Sequence, residues 1–327
     1  MVGGGIRRGD LERWLARVGL RTAGSACSIE PLSGDVSPRR YYRVRAGDER
    51  AIVVFYPAEL RALGGRFART SALLTAVGAR VPAIRRFDED AGLMLLEDLG
   101  AETLYDWRGR SWDALFPWLE AALATARRVA RIDPAALAGL LPPLDAAVLE
   151  RELMSTWDLF LVPQGLTGDE ALRRRLLARL ERLCAELEED GLVPCHRDFM
   201  ARNLIPLPAT REIAVLDHQD LRLGPPAYDA ASLFNDSLFP PEHVVGELLG
   251  DEIHGSAGYH RAVIQRTLKI VGTFVSFARR GEPRYLPLVT VSLARCLDHL
   301  AALPEDRDLA SDLRRAWSRA LRSAALC

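Results

Sequence analysis

The stretch His196-Arg197-Asp198-Phe199-Met200-Ala201-Arg202-Asn203 decides how this chain is read. It has the form H-x-D-x-x-x-x-N. Downstream, the apolar, β-branched run Ile213-Ala214-Val215-Leu216 reads as a buried strand, and Asp217-His218-Gln219-Asp220 follows it. A carboxylate, an amide five residues later and a second carboxylate at a strand end suit phosphoryl transfer, in which a protein mainly positions reactants and neutralises charge. Asp198 would orient an attacking hydroxyl and take its proton, a role worth ~10²–10⁴-fold. Asn203 and Asp217 offer the hard oxygens that magnesium prefers. Taken singly, His196 reads as a core histidine, Asn203 as a turn residue and Asp217 as a helix cap. Their order and spacing carry the reading.

Working outward, the chain has 327 residues, 49% of them hydrophobic and 27% charged, with a net charge of −1. This is the composition of a globular protein of one large or two lobed domains. Neither the balanced charge nor Arg173-Arg174-Arg175, which sits among leucines as a solvated helix face, points to a nucleic-acid partner. No apolar run reaches membrane-spanning length, and Met1–Arg8 lacks the apolar core of a leader, so a cytoplasmic protein is expected. Cys27, Cys184, Cys195, Cys296 and Cys327 are scattered and read as reduced thiols, with Cys195 a small apolar spacer. Of the 43 basic residues only Lys269 is a lysine, so no nucleotide motif that needs a lysine can exist elsewhere.

The first third alternates strand and turn signals. A helix is expected over residues 10–20 with Asp10 as its N-cap. Strands are expected at 28–32, 41–45, 50–56, 84–87 and 93–97, with a helix at 59–77 that Gly64-Gly65 weakens. From residue 106 helices dominate, at 112–132, 144–160, 169–189, 228–237, 258–280, 286–302 and 306–321. The expected fold is α+β: a small antiparallel-sheet nucleotide-binding lobe over residues 1–97, then a mainly helical catalytic and substrate lobe over 98–327. The boundary falls at Leu96-Glu97-Asp98-Leu99-Gly100, where the backbone of Glu97 and Leu99 could hydrogen-bond a flat base.

These residues resemble the aminoglycoside phosphotransferase and choline kinase superfamily, small-molecule kinases with a protein-kinase-like fold. Within it they are most similar to the branch that phosphorylates the anomeric hydroxyl of N-acetylmuramate and N-acetylglucosamine in cell-wall recycling. The resemblance runs from Gly34-Asp35-Val36-Ser37-Pro38-Arg39-Arg40-Tyr41 through Leu95-Leu96-Glu97-Asp98-Leu99-Gly100 and the catalytic loop. It continues through Gly224-Pro225-Pro226-Ala227-Tyr228-Asp229 to Gln265-Arg266-Thr267-Leu268-Lys269. It implies ATP and Mg²⁺ as cofactors, Asp198 as catalytic base, and Asn203 and Asp217 as metal ligands. It further implies that His196 braces the metal-binding loop and Asp229 holds the backbone of the catalytic loop. Arg202, Gln219, Asp220, Trp157 and Lys269 are the residues expected to face a small sugar. Two positions depart from the branch: Met200 stands where it usually has His, and His218 where it usually has Phe.

Protein kinases grip the phosphates with a strand lysine paired to a helix glutamate. The corresponding strand, Ala51-Ile52-Val53-Val54-Phe55, has no lysine. Arg39, Arg40 and Arg43 are the candidate replacements, because guanidinium groups bind phosphate oxygens bidentately, with Ser33 and Ser37 as added donors. Other acceptors, such as an aminoglycoside, choline or another amino alcohol, stay open. So does a nucleotide-binding pseudokinase, which the missing lysine favours and the intact Asp198, Asn203 and Asp217 oppose.

Overall fold

The computed structural model describes residues 6–20, 28–32 and 38–318, in two compact units. Ser33 and Ser37 lie outside the described residues. The first unit comprises residues 1–101 with 214–219, and the second comprises 102–213 with 220–327.

The first unit holds helix α1 (Arg8–Arg17), strands β1 (Ser28–Leu32), β2 (Arg40–Ala46) and β3 (Glu49–Phe55), helix α2 (Arg61–Ala76), and strands β4 (Ile84–Asp88) and β5 (Leu93–Glu97). The strands form one antiparallel sheet in the order β1-β2-β3-β5-β4. Alternation along β3 sends Ala51 and Val53 to one face, with Leu11, Trp14 and Leu15 of α1, and Val54 to the other, with Phe67 of α2 and Met94. Helix α1 begins earlier than expected. Asp10 is therefore not its cap but an acid in its first turn, paired with Arg7 at 2.9 Å and with Arg13. Helix α2 runs unbroken through Gly64-Gly65. A Cβ at Gly64 would lie 2.9 Å from the Phe87 ring, so the glycine is required by packing against β4 rather than by a turn.

The second unit holds α3 (Trp112–Val129), α4 (Ala146–Thr156), α5 (Glu170–Glu189), β6 (Val193–Cys195) and β7 (Leu204–Leu207). Strand β8 (Glu212–Val215) follows, and the chain passes into the first unit at Ala214. After β9 (Arg222–Gly224) come α6 (Tyr228–Asn235), α7 (Glu242–Leu249), α8 (Asp251–His254), α9 (Ala257–Arg279), α10 (Pro287–Ala302) and α11 (Arg307–Ala316). The central element is α9, buried along most of its length. Helix α4 docks on it at Gly272, where a Cβ would stand 2.5 Å from Thr156 Oγ1. Thr156 fills that gap, donating to the Leu268 carbonyl at 2.5 Å and accepting from the Gly272 N–H at 3.0 Å. The expected helix over 144–160 is shorter: α4 stops at Thr156 and continues as a π-turn, Trp157–Leu161. Strands β6, β7 and β9 and helices α7 and α8 were not anticipated from sequence. No described helix is long and apolar enough to cross a membrane.

Candidate active site

In the second unit the loop after β6 carries the first motif. Asp229, at the start of α6, accepts the His196 N–H at 2.8 Å and the Arg197 N–H at 2.9 Å on its two carboxylate oxygens. This fixes Arg197 at φ 76°, a left-handed conformation that costs of order 1–3 kcal/mol when unsupported. His196 is fully buried with its ring edge-on to Phe199, centroids 5.7 Å apart. A short turn, Ala201–Asn203, then brings Asn203 back. Its Nδ2 donates to the Asp198 carbonyl at 2.9 Å, which leaves the side-chain oxygen as the atom able to meet a cation.

Asp198 is held by cations on one oxygen. Arg266 Nη1 lies 2.8 Å and Lys269 Nζ 3.4 Å from Oδ1. No donor among the described residues reaches Oδ2. Burial acts to raise the Asp198 carboxyl, but Lys269, Arg266 and Arg197 outweigh it and hold the group well below the usual carboxylate range. Burial, reinforced by Arg266, pulls the Lys269 ammonium down despite Asp198 and Glu152. Behind them, Arg266 reaches Asp236 and the Arg197 carbonyl, while Arg197 pairs with Glu152 at 2.6 Å and Asp220 at 3.2 Å. Gln265, one turn before Lys269, accepts from the Tyr228 hydroxyl at 2.8 Å. Arg202 stacks on Tyr105.

Sequence reasoning gave no role to Arg266, Asp236, Glu152 or the Arg197 side chain. A signal did exist: Arg266 lies inside the buried run Ala262–Leu268, and Glu152 sits on the helix stripe that buries Leu149 and Leu153. A charge on an apolar stripe needs a partner. Trp157 needs correction. It is 4% exposed, a core residue rather than a wall of an open sugar site. Cys195 is buried, which pushes its thiol far up and leaves it inert as a nucleophile.

In the first unit Asp217 stands at φ 56°, past the end of β8. Arg39 Nη2 at 2.8 Å and Gln219 Nε2 at 3.1 Å both donate to its Oδ1. No donor among the described residues reaches its Oδ2. His218 is fully buried, stacked on Phe67 with centroids 4.2 Å apart and 2.8 Å from Thr70 Oγ1. Ser71 Oγ lies 3.3 Å from its other ring nitrogen, so His218 is held as a packed, hydrogen-bonded ring. Arg43 is committed elsewhere: it forks onto Asp98 at 2.8 and 3.1 Å and donates to the Gly100 carbonyl at 2.7 Å. The Glu97 side chain pairs with Arg80 at 2.6 Å, and Leu99 is half-buried. Arg40 is exposed. The phosphate clamp expected of three arginines thus has Arg43 engaged within its own unit and Arg39 tied to Asp217.

Residues 28–263 match the phosphotransferase enzyme family. The chain belongs to that family. This phosphotransferase is 35% identical over 282 residues to the N-acetylmuramate/N-acetylglucosamine kinase of Pseudomonas aeruginosa, covering 78% of this chain and 79% of that one. It is 31% identical over 307 residues to the kinase of the same name from Pseudomonas putida, covering 87% of each. The solved GDP complex of aminoglycoside 2'-phosphotransferase-IIIa has the same fold, with a TM-score of 0.61 at 15% identity over 90% of this chain and 98% of that one. The fold is protein-kinase-like, an antiparallel-sheet unit with a larger helical one.

Proposed function

We propose that this phosphotransferase transfers the γ-phosphoryl group of ATP to the anomeric hydroxyl of an N-acetylated amino sugar, N-acetylmuramate or N-acetylglucosamine. The observation that carries this reading is the loading of Asp198, with both cations on Oδ1 and Oδ2 left for a hydroxyl. The acceptor O–H donates to Oδ2 and is aimed by it. The acceptor oxygen bonds to phosphorus, ADP leaves, and the proton passes to Asp198. A carboxylate with so low a proton affinity is a weak base. It takes the proton late, as the new P–O bond forms, in keeping with a loose transition state. A weak base favours an acidic hydroxyl, and the anomeric one is the most acidic of a sugar because the ring oxygen withdraws electron density from it.

The chemistry of Asn203 and that of Asp217, each taken in its own unit, suits magnesium. Asn203 offers an amide oxygen whose nitrogen is already engaged, and Asp217 an oxygen that no donor among the described residues reaches. Both are hard ligands, and an octahedral ion that keeps several waters needs few protein groups. Such an ion would supply charge neutralisation at the phosphate oxygens. Arg39 fixes which Asp217 oxygen is presented, Arg40 remains the candidate for direct phosphate contact, and the backbone of Glu97 and Leu99 the candidate for the base.

The test is a panel of N-acetylmuramate, N-acetylglucosamine, choline and kanamycin with ATP and Mg²⁺, with product position read by ³¹P NMR. Phosphate at the anomeric carbon is expected. Turnover of choline or kanamycin alone refutes the sugar reading. Nucleotide binding without turnover of any acceptor refutes catalysis.

A further inference from the structure

Arg202 lies one residue before Asn203 and four after Asp198. Its guanidinium carbon is 3.4 Å from the centre of the Tyr105 ring and 5.0 Å from that of Tyr285. The platform is firm: Tyr285 is buried and stacked on Phe274, with centroids 5.4 Å apart and planes 9° from parallel. Other arginines around the catalytic loop are committed to acids, Arg197 to Glu152 and Asp220, and Arg266 to Asp198 and Asp236. Among the described residues no carboxylate or carbonyl accepts from the Arg202 guanidinium, which is half-buried. The rings occupy its face and leave the N–H edges. A guanidinium stripped of part of its water, fixed in orientation and lacking an acid is a bidentate anion receptor.

We propose that Arg202 binds a carboxylate on the acceptor, so that the enzyme prefers an anionic amino sugar to a neutral one. This rests on the sugar-kinase reading. The two candidate sugars differ in one full charge, the lactyl carboxylate of N-acetylmuramate. The other anion that could use such a fork is a phosphate of the nucleotide, and the experiment separates the two.

The ratio of kcat/KM for N-acetylmuramate over N-acetylglucosamine is measured in the wild type and in Arg202→Gln, together with the KM for ATP. A lost charge-assisted hydrogen bond predicts that the ratio falls by about 10- to 150-fold. An equal loss on both sugars, or a rise in the ATP KM that accounts for the loss, overturns the assignment. N-acetylmuramate with its carboxylate converted to the primary amide supplies a second arm on wild-type protein. The amide is expected to lose as much with the wild type, and Arg202→Gln to be indifferent to the change. If Arg202→Gln does not fold, the amide decides alone, and no loss with it overturns the proposal. A wild type that phosphorylates neither sugar overturns both readings; one that phosphorylates both without regard to the carboxylate overturns only this one.

Discussion

Arg266→Met should be among the most damaging single changes available in this protein, and its cost should trace to one carboxylate. Arg266 is 1% exposed and Asp236 4%. Arg266 bonds Asp198 at 2.8 Å, the Arg197 carbonyl at 3.0 Å, and Asp236. Without it, Asp198 keeps Lys269, but Asp236 keeps no cation among the described residues. Breaking a buried pair from one side costs about 3–5 kcal/mol, because the remaining charge stays desolvated. At roughly 2–4 °C per kcal/mol for a unit of this size, the melting midpoint falls by about 6–20 °C. Adding Asp236→Asn removes the stranded charge, so Arg266→Met/Asp236→Asn should regain about half the loss or more, since neutral replacement of a buried pair is often nearly neutral. Urea unfolding followed by circular dichroism measures all three proteins. A single variant within about 1 kcal/mol of wild type, or a second substitution that restores nothing, refutes the reasoning.

Lys269→Met should lower kcat/KM by about 10- to 100-fold, the worth of one charge-assisted hydrogen bond, with a smaller stability loss than Arg266→Met because Arg266 still holds Asp198. Lys269→Arg should also lose activity, since a second planar guanidinium must crowd Arg266, and full activity in that variant would show that no ammonium is needed. His299, with its Nδ1 2.9 Å from that of His260, has its pKa lowered to about 3 by burial, and further by His260, Arg295 and His254. The unfolded chain takes up this proton below about pH 6.5 and the folded one does not, so stability is complete above that pH and falls by about 2–3 kcal/mol by pH 4.5. Urea midpoints across that range should show the slope and His299→Gln should flatten it; a slope indifferent to the substitution removes His299 as its source.

The parts of this architecture that could be read in advance are those with local signatures. The strands at 28–32 and 93–97 match to the residue, because each is a run bounded by turn-forming residues. Strands β6 and β9 have three residues each, too few to display a period, and α7 and α8 are cut apart by Gly250 at φ 76°. Trp157 shows the reverse failure. An aromatic on a helix has the same spacing whether it faces a core or a ligand, and only burial separates the two. The hold of Asp229 on the His196 and Arg197 N–H groups was legible because it comes with a short motif. Arg266, Asp236 and Glu152 were not, because their roles exist only once α4, α6 and α9 are packed together.

That packing also gives the single lysine a distinct place. Asp198 and Asp217 share one arrangement: donors crowd Oδ1, and none among the described residues reaches Oδ2. At Asp217 one guanidinium and one neutral amide suffice. At Asp198 a second cation must reach an oxygen that Arg266 already grips, within a wall that also holds Arg197. A planar guanidinium would face the like-charged Arg266 fork at close range. An ammonium is a compact point charge on a slender stem and can enter beside the fork. In a chain whose other 42 basic residues are arginine, the exception stands beside the carboxylate oxygen that Arg266 already holds, 3.4 Å from Asp198 Oδ1.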